Sequence, residues 1–231
     1  MLKAVLVSLL VLLLSSAAWG ADKTKDEETI RNAATVLQAM LGSNDVPASV
    51  VAKADCIVIL PSVKKFAVGI GGSGGRGPMT CREGANFSGK WSPPAMYSIG
   101  GLSAGLQVGG TAQDFILLIM APSAANKVLD GKVKVGSDAT AAAGDNPPSG
   151  GSGGGPTVTG TADILTYSRT SGLFAGVSLD GSSLEPDSDA NQRLYGKSVS
   201  AREIVTGYAV KPTPAGQQLV SLLDSKAGKK M

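Results

Sequence analysis

Residues 56–91, CIVILPSVKKFAVGIGGSGGRGPMTCREGANFSGKW, decide how this chain folds. They hold both cysteines, the Lys64-Lys65 pair, a dense glycine run and the one tryptophan beyond the N-terminal apolar segment. Ile57 to Leu60 reads as a short apolar strand closed by Pro61. From Phe66 the period becomes two, with Phe66, Val68 and Ile70 on one face and Ala67, Gly69, Gly71 and Ser73 on the other. Ser62 to Lys65 between them reads as a polar turn, and Met79 to Glu83 as a strand that pairs back.

The stretch imitates three catalytic or nucleotide motifs. Gly69-x-Gly71-x-x-Gly74 fits the dinucleotide fingerprint as a string, but that motif needs a helix at its third glycine. Gly75-Arg76-Gly77-Pro78 follows, so these are hairpin glycines. Gly84 to Lys90 nearly matches a phosphate loop, yet Trp91 stands where Ser or Thr must hold magnesium, and Ser92-Pro93-Pro94 excludes the helix. Ser62-x-x-Lys65 matches the S-x-x-K of serine acyl-transfer enzymes, whose S-D-N and K-T-G elements the sequence lacks.

Composition narrows the chemistry further. The 231 residues include no histidine, which removes the usual general base, the usual metal ligand and the Ser-His-Asp triad. Asp187-x-Asp189-x-Asn191 resembles the start of a calcium loop, but Gln192 replaces its turn glycine and Ser198 its bidentate Glu. Acidic residues at a helix start account for that string. The expectation is no catalytic residue, no metal, no cofactor and no nucleic-acid partner.

Residues 1–20 read as a secretory signal. Lys3 supplies the positive end, Ala4 to Leu14 the apolar run, and Ala18 and Gly20 the small residues before a cut. The run is shorter than the ~20 residues of a spanning helix. No cysteine near the cut offers a lipid anchor. The mature chain, 21–231, is expected to be one exported domain, periplasmic or secreted. Two cysteines in an exported protein read as a disulfide, Cys56–Cys81. Closing a loop of about 25 residues, it adds on the order of 3 kcal/mol in the chain-entropy account.

Thr24-Lys25-Asp26-Glu27 reads as a capping box, opening an amphipathic helix over 25–41 with Ile30, Ala33, Ala34, Leu37 and Leu41 on one side. Packing on the core and insertion into a membrane surface both suit it, the former better because basic residues are few. Pro47 starts a short second helix that runs to about Ala54. Residues 98–109 and 172–180 repeat the strand design, with apolar residues on one face and Gly or Ser on the other. They share the pattern of Gly101-Leu-Ser-Ala-Gly-Leu and Gly172-Leu-Phe-Ala-Gly-Val, by duplication or by convergence. Phe115 to Met120 reads as a central strand, and Ala162 to Ser168 as the hairpin partner of 172–180. Residues 144–160 are a flexible Gly/Pro-rich loop. Asp189 to Tyr195, Ala201 to Thr206 and Pro214 to Leu223 are helical, and the tail 226–231 is loose. The fold class is α+β: one mostly antiparallel, glycine-rich, barrel-like sheet with helices at both ends.

Charge suggests a site. From Lys53 to Trp91, six cations (Lys53, Lys64, Lys65, Arg76, Arg82, Lys90) face two anions, Asp55 and Glu83, a local +4. One reading is a solvated face. The other is an anion site in which Lys64, Lys65, Arg76 and Arg82 converge on accessible glycine N–H groups.

The motif order resembles the SYLF domain, a lipid-binding family that includes yeast actin-associated proteins. The matching pieces are residues 52–65, Gly74-Gly-Arg-Gly77 with Cys81-Arg82, Trp91-Ser-Pro-Pro-Ala95 and Gly105-Leu-Gln-Val-Gly-Gly110. Further on come Asp163-Ile-Leu-Thr-Tyr-Ser-Arg169, Gly172 to Leu179, and Asp189-Ala-Asn191 with Leu194-Tyr-Gly196. The resemblance covers roughly residues 30 to 207. It implies a non-enzymatic module that binds acidic phospholipid or a membrane surface peripherally, or another envelope component. The alternative is a structural domain with an envelope protein partner and no lipid.

Overall fold

The structure is a computed structural model that describes residues 2–68, 70–104, 109–131, 133–135, 163–170, 179, 182–206 and 209–228. Side chains within 2–21, 65–71 and 102–111, and that of 170, lie outside the description. Helix α1, Leu2–Gly42, is uninterrupted. This corrects the start expected at Thr24. No proline interrupts the run, and one interior glycine, Gly20, costs a helix only about 1 kcal/mol. The stripe on α1 packs on the core as expected, with Ile30, Ala33, Leu37 and Met40 fully buried. Pro47 precedes the short helix α2, Ala48–Val51.

Seven antiparallel strands follow: β1 Cys56–Val68, β2 Ile70–Cys81, β3 Ala95–Ala104, β4 Gly109–Ile119, β5 Val133–Lys134, β6 Ile164–Thr170 and β7 Ser183–Pro186. Their order across the sheet is β5-β7-β3-β2-β1-β4-β6. Helices α3 Pro122–Asp130, α4 Ser188–Tyr195, α5 Ala201–Val205 and α6 Pro214–Ala227 complete the fold, so the α+β architecture holds. β4 lies between β1 and β6, as its continuous apolar run requires. Alternation along the strands separates two apolar layers. Cys56, Val58, Leu60, Phe115, Leu117 and Ile119 pack with α3 and α5. Ile57, Ile59, Ile116 and Leu118 pack with α1, α4 and α6 on the other face. Cys56 and Cys81 are paired across β1 and β2 and form the expected disulfide.

The sequence reading ended the first strand at Pro61 and made Ser62 to Lys65 a turn. The chain instead passes through both as one strand with a bulge. Leu60 pairs with Phe115 and Val63 with Gln113, so β1 carries one extra residue there. A bulge tolerates the missing Pro61 N–H. Ser62 takes a left-handed φ of 52° and donates its N–H to Asp114 Oδ1 at 2.9 Å. The S-x-x-K string is therefore a bulge with no helical spacing between Ser62 and Lys65.

The strand expected over 98–109 is two, β3 and β4, with 105–108 outside the described residues. The 144–160 loop lies outside them, and so does the 172–180 strand except Leu179. The three C-terminal helices form where expected. Asp187 caps α4 by accepting from Ala190 N, which is the helix-start reading of the calcium-like string. The tail is not loose at 226–227: α6 extends through Ala227, which is buried. Helix α3 had no counterpart in the sequence reading, although Pro122 at its first position and Gly131 after its end are ordinary boundary signals.

Candidate functional site

Of the four cations expected to converge, Arg76 and Arg82 are taken up by groups of the chain itself. Strand alternation puts Arg76 of β2, and Arg82 just past its end in a bridge with Trp91, on the face that the N- and C-terminal helices cover, and groups from those helices consume both. This corrects the anion-site reading for the two arginines. Lys64 is exposed on β1, paired with Gly74 and Ala112. Lys65 follows it opposite Ser73, its side chain outside the described residues.

Arg82 is fully buried and its guanidinium is saturated. Its Nε donates to Ala54 O (3.3 Å), Nη1 to Gly89 O (3.2 Å) and Gly228 O (3.0 Å), and Nη2 to Ala52 O (3.1 Å) and Ala227 O (2.7 Å). An arginine side chain has five N–H donors in a fixed fork, and each here has a carbonyl. Two of those carbonyls close α6 and one closes α2, so the partial negative charge of two helix ends meets one cation. The guanidinium also lies over the Trp91 ring, 4.3 Å from its centroid, and Trp91 Nε1 donates to Ala227 O at 3.1 Å. Burial pulls the Arg82 ionisation below its ordinary value, while Asp224 and Asp55 oppose that shift.

Arg76 belongs to a second network. Its Nη2 reaches Asp26 Oδ1 at 2.9 Å and its Nε reaches Asp187 Oδ2 at 2.7 Å. Asp26, fully buried on α1, also accepts from Arg193 Nε on α4 at 2.8 Å. The Asp26 hydrogen bond, against the cost of burial, raises the Arg193 ionisation above its ordinary value. Arg193–Asp26–Arg76–Asp187 thus ties α1 to β2 and to the start of α4. Sequence reasoning missed Asp26 as a partner, although a signal was present: Asp26, Ile30, Ala33, Leu37 and Met40 fall on one helical stripe. An acid on an apolar stripe requires a buried cation.

With those two absorbed, Lys64 remains. It belongs to a row across four strands: Gly100 on β3 pairs with Gly74 on β2, Gly74 with Lys64 on β1, and Lys64 with Ala112 on β4. All four are exposed. A side chain at Gly74 would meet nothing within 4 Å, so its glycine leaves that face open. The row is about 14 Å wide at ordinary strand spacing, and Lys64 is its one long side chain. Asp114, two positions along β4 from Ala112, shares this face, and so does exposed Arg169, its partner on β6. Asp114 Oδ1 accepts the Ser62 N–H. Arg169 had not been marked as a candidate. Among the residues whose side chains are described, which in α1 begin at Asp22, no helix is long and apolar enough to cross a membrane, and no group of His, Cys, Asp and Glu could hold a metal ion.

Comparison with known proteins gives consistent matches. The family described as Las17-binding protein actin regulator matches residues 100–226. An SH3 domain-containing protein of Schizosaccharomyces pombe is 35% identical over 188 residues, 80% of this chain and 43% of that protein. LAS seventeen-binding protein 3 of Saccharomyces cerevisiae is 28% identical over 205 residues, 85% of this chain and 44% of the relative. The human SH3 domain-containing YSC84-like protein 1 is 33% identical over 181 residues, 78% of this chain and 51% of the relative. The chain thus spans about half the length of the curated relatives it matches. No solved structure matches it.

Proposed function

Because this chain belongs to the Las17-binding protein actin regulator family, also known by its SYLF domain, we propose that it is an exported, non-enzymatic module that binds an acidic phospholipid surface peripherally. The observation that carries the reading is the open row Gly100–Gly74–Lys64–Ala112. Side-chain-poor strands let a flat anionic surface approach the backbone closely, and Lys64 supplies the charge. Arg169 extends the cationic face by one more strand pair. Export rests on residues 1–20, whose charged start, short apolar run and small residues before Ala21 fit a cleaved signal.

The test is sedimentation with phosphatidylglycerol-containing vesicles against phosphatidylcholine vesicles. Binding to the anionic vesicles is expected to exceed binding to the neutral ones and to fall with salt. Each cation near such a surface is worth about 1 kcal/mol, so Lys64→Ala should weaken binding about fivefold. Gly74→Glu, which places an acid in open space beside Lys64, should weaken it further without unfolding the chain. Equal binding to both vesicle types would overturn the proposal. The names of the yeast relatives favour a second reading, a protein partner. In that case the same row is a protein contact, and the chain is indifferent to lipid.

A further inference from the structure

We infer that the Cys56–Cys81 bond is made before the chain folds, by a disulfide-exchange oxidant acting on the open chain, and that folding then seals it against reductant. Both cysteines are fully buried. They stand directly opposite each other on β1 and β2, and Cys56 has Ile119 of β4 on its other side. Cys81 is tied to Ser92 as well: its N–H donates to Ser92 Oγ at 3.1 Å, and its carbonyl accepts the Ser92 N–H at 2.8 Å. The flanking residues are held too. Asp55 N donates to Ile119 O, and Arg82 N to Asp55 O, each at 2.8 Å. Arg82 is fixed in turn by its five carbonyls. The cysteines lie in the apolar layer with Val58, Leu117, Ile119 and the buried sides of α3 and α5. Reaching either sulfur therefore means parting strands that are bonded on both sides.

Thiol–disulfide exchange needs a thiolate in line with the sulfur it attacks. In the folded chain no such line reaches Cys56 or Cys81, so neither a reductant nor an oxidant acts there while the layer is closed. The bond is made earlier. The two thiols give up two protons and two electrons. A disulfide-bearing oxidant forms a mixed disulfide with one cysteine, the thiolate of the other cysteine displaces it, and the oxidant leaves as two thiols. Chain order permits this sequence. The elements that close the layer, β4, α3 and α5, all follow Cys81. A chain that emerges from its N-terminus thus presents both thiols before their cover exists. The reaction that must precede this fold is oxidation by a thiol–disulfide carrier.

Thiol trapping with a maleimide, read by mass spectrometry on the full chain, tests the inference. Under native conditions dithiothreitol should reduce the bond at least about a thousandfold more slowly than in denaturing urea, as an ordinary folding equilibrium requires. The rate should climb with urea from the lowest concentrations, because opening the layer exposes apolar surface. In the opposite direction, chain that is reduced in urea, refolded with reductant present and then moved into oxidised glutathione should keep both thiols, while the same chain left in urea oxidises. Failure of the reduced chain to refold supports the same order, since the bond must then precede the fold. Native reduction within about tenfold of the denatured rate would overturn the inference. A reduction rate that is flat in low urea, or ready oxidation of the refolded, reduced chain, would overturn it as well.

Discussion

Replacing Gly77 with alanine should damage this fold far more than the same change at Gly74, three residues away on the same strand. An alanine Cβ at position 77 would lie 1.8 Å from Ile59 O, 2.9 Å from Ile59 C and 3.0 Å from Leu60 Cα. All three atoms are backbone, so no rotamer change relieves the overlap. Carbon and oxygen at rest stay more than 3 Å apart, so one strand must move by more than about 1 Å. Ile59 belongs to β1, which is held between β2 and β4 and pairs there with Ile116. The displacement is therefore resisted on both sides, and overpacking of this kind together with disturbed ladder bonds costs about 3 kcal/mol or more. At Gly74 a Cβ meets nothing within 4 Å. There alanine reduces the freedom of the unfolded chain and should be neutral or stabilising by up to about 1 kcal/mol. Urea unfolding followed by circular dichroism measures both. With a slope of about 2–3 kcal/mol/M, Gly77→Ala should lower the midpoint by about 1 M, and Gly74→Ala should leave it in place or raise it slightly. If Gly77→Ala unfolds within about 0.2 M of the wild type, or if the two variants fall together, the close approach at Gly77 is not what holds β2 beside the bulge.

Asp26→Ala removes the buried acid shared by Arg76 and Arg193 and should cost about 2–3 kcal/mol, toward the lower side for a broken buried pair because Arg76 is 38% exposed; a loss under about 0.5 kcal/mol in urea would show that the network contributes no stability. Burial raises the ionisation of Tyr97, Tyr167 and Tyr195 above the phenol value of 10.0, with nearby Glu27 adding to the effect at Tyr195. The folded chain therefore keeps these phenols protonated where the unfolded chain ionises them. The resulting stability is complete below about pH 10 and declines as pH rises toward the folded values. Phenolate absorbance from these residues should appear together with loss of circular dichroism, and smooth titration near pH 10 in a chain that stays folded would refute their burial.

Periodicity made the layers of this fold legible. The apolar stripe of α1, the two-residue alternation of β1 and the unbroken apolar run of β4 each follow from which side must be buried. The bulge was not legible, because Pro61 and Ser62 are ordinary turn residues, and only the pairing of β1 with two neighbours keeps the strand going through them. The start of α1 was misplaced for a related reason. Thr24 and Glu27 have the spacing of a cap, but a cap forms only where the chain enters a helix, and the uncleaved chain is already helical from Leu2; removal of residues 1–20 would bring that entry next to Thr24. Instead Glu27 accepts from the first turn of α6.

The candidate site shows where counting charge stops being informative. Six cations against two anions over residues 53–91 is a true count, yet it says nothing about acceptors brought by the rest of the chain. Arg82 lies beside carbonyls from residues 52, 54, 89, 227 and 228, separated from it by as many as 146 positions. A guanidinium with five donors can be buried among carbonyls at modest cost, whereas a lysine ammonium cannot satisfy so many groups and holds its charge best in water. Residue type thus divides the cluster: arginines at positions 76 and 82 serve the helices that cover the sheet, and the lysine at 64 stays outside. The glycines divide in the same way. Gly77 lacks a side chain because Ile59 is too close, and Gly74 leaves a face open although a side chain would fit. In a glycine-rich sheet, the glycines that packing does not demand are the ones that point to a surface the protein keeps accessible, and here that surface carries Lys64.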